Sequence, residues 1–155
     1  MVLDNKLKGK FGEYLVASKL TKMGMSVQFV DEEYFDLTFY FKKHPSMRLF
    51  KVQVKTAELE SRRPHLKNYS YKVHFGNYKN RQTNKLLPSH CDLMAYVAFD
   101  TEKVFFEPVK RVNVLHRRLG AESEFTIDAE KSFHCSMYDI DEEWINARRG
   151  IQDRA

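Results

Sequence analysis

Between residues 6 and 24, Glu13, Val16, Ala17, Leu20 and Met23 or Gly24 recur at the i, i+3, i+4, i+7 spacing of one helical face. Phe11 and Leu15 widen the apolar stripe, Asp4 or Asn5 suits the start as a cap, and Gly24 suits the stop. Glu13 is the odd member of this set. It lies along the stripe that faces the core, where a lone carboxylate is costly and needs a partner.

The pattern then changes to period two. Residues 26–30 read as a short strand. Over residues 35–41, Phe35, Leu37, Phe39 and Phe41 point one way and Asp36, Thr38 and Tyr40 the other. A polar loop at 42–47 turns the chain. Residues 49–56 alternate again, with Phe50, Val52 and Val54 opposite Lys51, Gln53 and Lys55. The two segments read as an antiparallel hairpin. Pairing Phe41 with Leu49 sets Asp36 opposite Val54, between Gln53 and Lys55, and the meeting of Asp36 with that end survives a slip of a residue or two.

Further along, residues 69–75 read as a strand, 76–87 as a basic loop, and 92–99 with 104–108 as a second hairpin turned at 100–103. Residues 109–119 read as partly helical and 125–127 and 133–137 as short strands. Residues 139–149 read as a terminal helix with Asp139 or Asp141 as cap and Trp144 as its apolar anchor. Helix, mixed sheet and more helix give an α/β class, a central mixed β-sheet flanked by helices. The 155 residues contain no repeat or Pro/Gly-rich linker and fit one domain spanning 1–155.

Composition excludes some classes and adds a partner. The chain is 43% hydrophobic and 30% charged. It has no run near the roughly 18 apolar residues of a membrane helix. The N-terminus, Met1 to Lys6, carries no apolar signal segment, so a cytoplasmic location is expected. Cys91 and Cys135 each follow a histidine; without close C-x2-C pairing they read as free cysteines rather than a zinc site or a disulfide.

Charge is concentrated. Residues 61–91 hold no Asp or Glu but carry Arg62, Arg63, Lys67, Lys72, Lys79, Arg81 and Lys85. These seven charges exceed the net +5 of the chain and leave the remainder at −2. Tyr69, Tyr71, Phe75 and Tyr78 interleave with them, and Asn77, Asn80, Gln82 and Asn84 add polar readers. A basic block of this kind is the footprint of a phosphate-rich partner, here DNA, with His74 and His65 as further phosphate contacts or exposed groups.

Phosphodiester hydrolysis unites these features. A hard cation such as Mg2+, with Mn2+ as a substitute, wants oxygen ligands, and Glu13, Asp36, the amide oxygen of Gln53 and the backbone carbonyl of Val54 supply them. Lys55 beside them suits orientation of the attacking water and neutralisation of charge on the phosphate.

Three runs carry a resemblance: Gly12-Glu13-Tyr14-Leu15-Val16-Ala17, then Phe35-Asp36-Leu37, then Val52-Gln53-Val54-Lys55-Thr56-Ala57. Together they resemble the PD-(D/E)XK nuclease superfamily, in its Gln-containing branch with the group I intron-associated homing endonucleases. Archaeal Holliday junction resolvases share the layout of helix Glu, Asp and E-x-K. The runs Cys91 to Val97 and Val104 to Val109 resemble the two strands that follow the active site, so the likeness covers roughly residues 8–112. Gln53 stands where Glu or Asp is usual, and no Pro precedes Asp36.

The resemblance implies a restriction-endonuclease-like core. It also implies a metal-dependent DNA endonuclease acting on duplex or branched DNA, as a homodimer or homotetramer, with Glu13, Asp36, Gln53 and Lys55 catalytic. Site-specific cleavage and junction resolution both stay open. So does a non-cleaving DNA-binding protein that keeps the fold, for which Gln53 is the best support.

Overall fold

The computed structural model describes residues 3–75 and 84–152. The first helix, α1 (Asn5–Lys22), begins where the Asp4 carboxylate accepts from the Leu7 N–H at 2.8 Å. It ends at Gly24, whose φ of 96° only glycine adopts cheaply. Nine strands follow among the described residues: β1 (Ser26–Phe29), β2 (Leu37–Tyr40), β3 (Phe50–Ala57), β4 (Asn68–Lys72), β5 (His74–Phe75), β6 (Asn84–Lys85), β7 (Leu93–Ala98), β8 (Lys103–Pro108) and β9 (His116–Gly120). Two helices close the described chain, α2 (Ala129–Ile140) and α3 (Trp144–Gln152).

Five strands form the central sheet in the order β1-β2-β3-β7-β8. β3 and β7 run parallel and the other neighbours antiparallel, so the sheet is mixed, as expected. β7 is buried along its whole length because both faces of the sheet are covered. On one face, Val16 and Leu20 of α1, Phe133 and Met137 of α2 and Trp144 of α3 pack on Leu37, Phe39, Phe50 and Val52. On the other, Tyr69, Tyr71 and Leu119 pack on Met94 and Tyr96. Those three belong to a two-stranded ribbon, β4 paired with β9.

Several expectations are corrected. In the first hairpin Leu37 faces Val52 and Phe39 faces Phe50. The expected pairing of Phe41 with Leu49 would set Leu37 against Gln53, an apolar side chain on a polar partner's face. The observed register instead stacks Phe39 on Phe50 with ring centroids 5.2 Å apart. The stretch read as partly helical, 109–119, is a short 3-10 turn followed by β9, which finds its partner in β4. The strand read at 69–75 breaks at Val73 into β4 and β5. Residues 125–127 lie at a 3-10 turn, and 133–137 lie inside α2, where Phe133 and Met137 share a face at i, i+4 spacing. Asp128 caps α2 through the Glu130 N–H. The terminal helix starts later than read, at Trp144, with Asp141 accepting from the Glu143 N–H.

Candidate active site

The site forms where β2 begins and the edge of β3 opens. The Asp36 N–H bonds the Val52 carbonyl at 2.8 Å, while Leu37 is the strand partner of that same residue. Two consecutive residues therefore face one, the arrangement of a β-bulge, which re-aims a side chain. The Asp36 carboxylate turns along the sheet edge and takes the place of the missing strand. Its Oδ2 accepts from the Val54 N–H at 2.8 Å and from the Gln53 amide nitrogen at 2.9 Å. The N–H and C=O of one strand residue point to the same edge, so the Val54 carbonyl also faces this opening.

Glu13 arrives from α1. Its neighbour Gly12 sits against β3 so closely that a Cβ there would lie 1.9 Å from Thr56 Oγ1. Among the described residues that hydroxyl is buried without a hydrogen-bond partner, held there by the helix contact. Glu13 pairs with Lys10 at 3.1 Å and interacts with the Asp36 carboxyl.

Burial is the main force on these charges. It pushes the Asp36 carboxyl up from 3.8 to about 6; the Val54 N–H and Lys55 pull against it and Glu13 adds to it. The same desolvation lowers the Lys55 ammonium, and Asp36 partly holds it up. The folded chain thus binds a proton at Asp36 more tightly than the unfolded chain does. This contribution to stability is fully present below the unfolded value of 3.8 and lost as the pH rises through about 6. Asp36→Asn keeps the acceptor for Val54 and removes the charge. It is expected to match the wild type in urea unfolding near pH 4 and to exceed it by roughly 1–2 kcal/mol at pH 8, allowing for partial solvent access.

The structure brings Glu13, Asp36, Gln53, Val54 and Lys55 together. The candidate DNA contacts are spread more widely. Arg62 and Arg63 are exposed in the hairpin between β3 and β4, Lys72 lies on β4 and His74 on β5. Lys67 is engaged by Glu122 at 2.9 Å and Lys85 by Asn113 at 3.1 Å. Lys79 and Arg81 lie outside the described residues, as do Asn77, Tyr78, Asn80 and Gln82.

A second cluster, His44, Asp141 and Glu143, has ligand atoms within 4.8 Å of one another. Its hydrogen bonds make it a clip rather than a metal centre. The Ser46 N–H donates to His44 Nδ1 at 3.2 Å, so the ring proton sits on Nε2, which donates to Asp141 at 2.6 Å. No ring lone pair is left for a cation, and the pair ties the β2–β3 loop to the start of α3. His44→Ala leaves Asp141 buried without its partner. It is expected to lower stability by about 3 kcal/mol in denaturant titration while leaving the metal dependence of any activity unchanged.

The two His-Cys pairs do not assemble. Cys91 is buried with its thiol pushed up to about 12 by desolvation, and Cys135 is exposed on α2. A cleft of about 590 Å³ between β8 and α2 lies away from Asp36. Its carboxylates are already committed, Glu107 to Arg117 and Asp139 to Lys110 and Arg111. No described helix is long and apolar enough to cross a membrane.

A comparison with curated sequences gives no match. Among solved structures, a bacterial homing endonuclease, I-Ssp6803I, superposes with a TM-score of 0.66 at 20% identity, covering 99% of each chain. This likeness shows the fold, the restriction-endonuclease-like core expected from the sequence. The family model for PD-(D/E)XK endonucleases matches residues 3–135, which includes every element of the candidate site. The chain belongs to the PD-(D/E)XK endonuclease family.

Proposed function

We propose that the chain hydrolyses DNA phosphodiester bonds with a divalent cation, Mg2+ or in its place Mn2+. The observation that carries this reading is the seat of Asp36. Its carboxylate is half-buried at an open strand edge, beside a second carboxylate and a lysine, and its pKa is raised to about 6. A cation would relieve both the burial and the mutual repulsion of Asp36 and Glu13, and the donors on offer are all oxygen. Asp36, Glu13, the Gln53 amide oxygen and the Val54 carbonyl are the residues that would hold it. When bound, such an ion polarises the phosphate and lowers the pKa of water beside it.

The chain's own residues do the rest. Gln53 spends its NH2 group on Asp36. Turning the amide over would present its oxygen to the opening instead. Lys55, half desolvated beside Asp36, faces the same opening and orients water or meets the charge that develops on the phosphate. The basic side chains Arg62, Arg63, Lys67, Lys72, Lys79, Arg81, Lys85 and His74 grip phosphates along the duplex.

The fold shared with a homing endonuclease supports duplex DNA as substrate; cutting both strands calls for two active sites, which favours a dimeric or tetrameric assembly. A junction-resolving activity is the other mode of the same chemistry. Cleavage of a labelled four-way junction beside a matched linear duplex, at low salt, separates the two. Failure to cut either DNA with Mg2+ or Mn2+ overturns the proposal. That failure would favour the second reading, a non-cleaving DNA-binding protein, for which the uncharged Gln53 and its bond to Asp36 are the specific support.

A further inference from the structure

We infer that the β4–β9 ribbon lies in the major groove of duplex DNA and that Arg118 is its base-reading side chain. The inference rests on DNA being the substrate, as proposed above. It adds which element reads sequence, and with which residue.

The pairing register divides the ribbon into two faces. Tyr69 opposes Leu119 and Tyr71 opposes Arg117; Ser70 opposes Arg118 and Lys72 opposes His116. The first two rungs point inward. Tyr69, Tyr71 and Leu119 are buried on the sheet. Arg117 grips Glu107 with two nitrogens at 3.2 Å, and the Tyr96 hydroxyl donates to the same carboxylate at 3.0 Å. This anchor makes the ribbon a rigid platform, the support a recognition element needs. The other two rungs, Ser70–Arg118 and Lys72–His116, point outward and are exposed; the Arg118 guanidinium touches Glu60, and the His116 ring lies edge-on to His74 with centroids 5.4 Å apart. Sequence alone shows Arg117-Arg118 as one doublet; the register makes the first structural and leaves the second for a ligand.

Dimensions and charge fit one partner. A two-stranded β-ribbon is among the few elements that enter the major groove of B-DNA. Rungs two residues apart are separated by about 6.8 Å, which matches two base-pair steps of about 3.4 Å. Arg62 and Arg63 flank Arg118 around a polar cleft of about 640 Å³ that Glu60 also lines, and Lys72 adds a positive charge on the ribbon's other outward rung. The ribbon starts close to the candidate active site, because Leu59, four residues past Lys55, bridges to Tyr69.

Arg118 suits base reading better than Lys72 does. Its planar fork bonds two acceptors at once, as guanine O6 and N7 require, whereas an ammonium acts as a point charge on phosphate. In the free chain Glu60 holds the guanidinium at 3.5 Å, with the arginine side chain 58% exposed. The contact is long and its arginine end faces solvent, while the Glu60 side chain is 23% exposed and stays beside Arg62 and Arg63, so the guanidinium can exchange this acceptor for a base.

The test is selection of duplexes from a fully randomised pool by the full-length chain in EDTA, followed by sequencing, so that binding is read without cleavage. The wild type is expected to select a consensus containing guanine. Arg118→Ala is expected to lose roughly tenfold or more of the preference at one or two adjacent positions and to keep the rest. Arg118→Gln is expected to shift that position from guanine towards adenine. Lys72→Ala is expected to weaken all sequences evenly and to reduce the salt dependence of binding.

The absence of any wild-type consensus overturns the inference. So does an Arg118→Ala variant, melting like the wild type, that keeps every position and binds all sequences more weakly. A wild type that selects a consensus yet cuts no DNA refutes the nuclease reading alone. One that cuts duplexes of every sequence equally refutes the ribbon's role alone.

Discussion

Lys55→Ala is expected to lower the single-turnover rate of DNA cleavage about a hundredfold or more while leaving DNA affinity within about threefold of the wild type. The basis is position. Lys55 sits next to Val54, whose N–H is bonded to Asp36, and it is desolvated enough to depress its ammonium. A charge in such a place costs stability, and removing it should raise the melting temperature slightly or leave it unchanged. Loss of rate with retained affinity and retained stability is the signature of a group used in the transition state. Lys55→Arg is not expected to restore the rate, because a guanidinium does not fit the space of an ammonium and does not shed its proton. If Lys55 served only to hold DNA, affinity and rate would fall together, and the difference would disappear at saturating enzyme.

Gly12→Ala carries the second large effect. The added Cβ would lie 1.9 Å from Thr56 Oγ1 and 3.2 Å from Thr56 Cβ, so α1 must move away from β3. Alanine is otherwise the better helix former by roughly 1 kcal/mol, which makes the sign of the result informative. Overpacking is expected to win, with a net loss of about 1–3 kcal/mol in urea unfolding. Because Glu13 follows Gly12 directly, cleavage should fall by more than the loss of folded protein accounts for. Thr56→Ala removes the buried hydroxyl that lacks a partner, and alone it should be close to neutral. Combined with Gly12→Ala it should recover most of the stability and activity, since the clash is chiefly with that oxygen. Failure of the double variant to recover would place the role of Gly12 elsewhere.

The residues of the site were legible because the physics that places them is local. Alternation put Asp36 on a different face from Phe35 and Leu37, and Gln53 and Lys55 on a common face of β3. The helical period put Glu13 on the stripe with Val16 and Leu20. The bulge at Asp36 was not legible, since it is a backbone event that leaves the alternation of its neighbours intact. Its effect was to change which carbonyl Asp36 bonds, while still delivering the carboxylate to Val54.

Non-local pairing explains most of what was misread. β9 contains His116, Arg117 and Arg118 and has no apolar alternation of its own; its strand state follows from pairing with β4, which the sequence does not announce. The His44–Asp141 clip joins residues 97 positions apart. α2 was different. Phe133, Met137 and Ile140, with Ala129 and the cap at Asp128, do carry a helical period. Over the short span Phe133 to Met137 the aromatic and apolar residues fit a strand as well as a helix, and only the longer span from Ala129 shows the helical period. The basic block divided in an equally physical way. Arg62 and Arg63 are exposed, whereas Lys67 must exchange its exposed Glu122 partner to reach a phosphate.

Anomalous diffraction from crystals soaked in Mn2+ tests most directly whether the open edge beside Asp36 holds the catalytic cation. A peak is expected within ligand distance of the Asp36 carboxylate, on the side of Glu13 and the Val54 carbonyl, and it disappears in Asp36→Asn. A peak confined to His44, Asp141 and Glu143, or none at an Mn2+ concentration that supports cleavage, would contradict this placement.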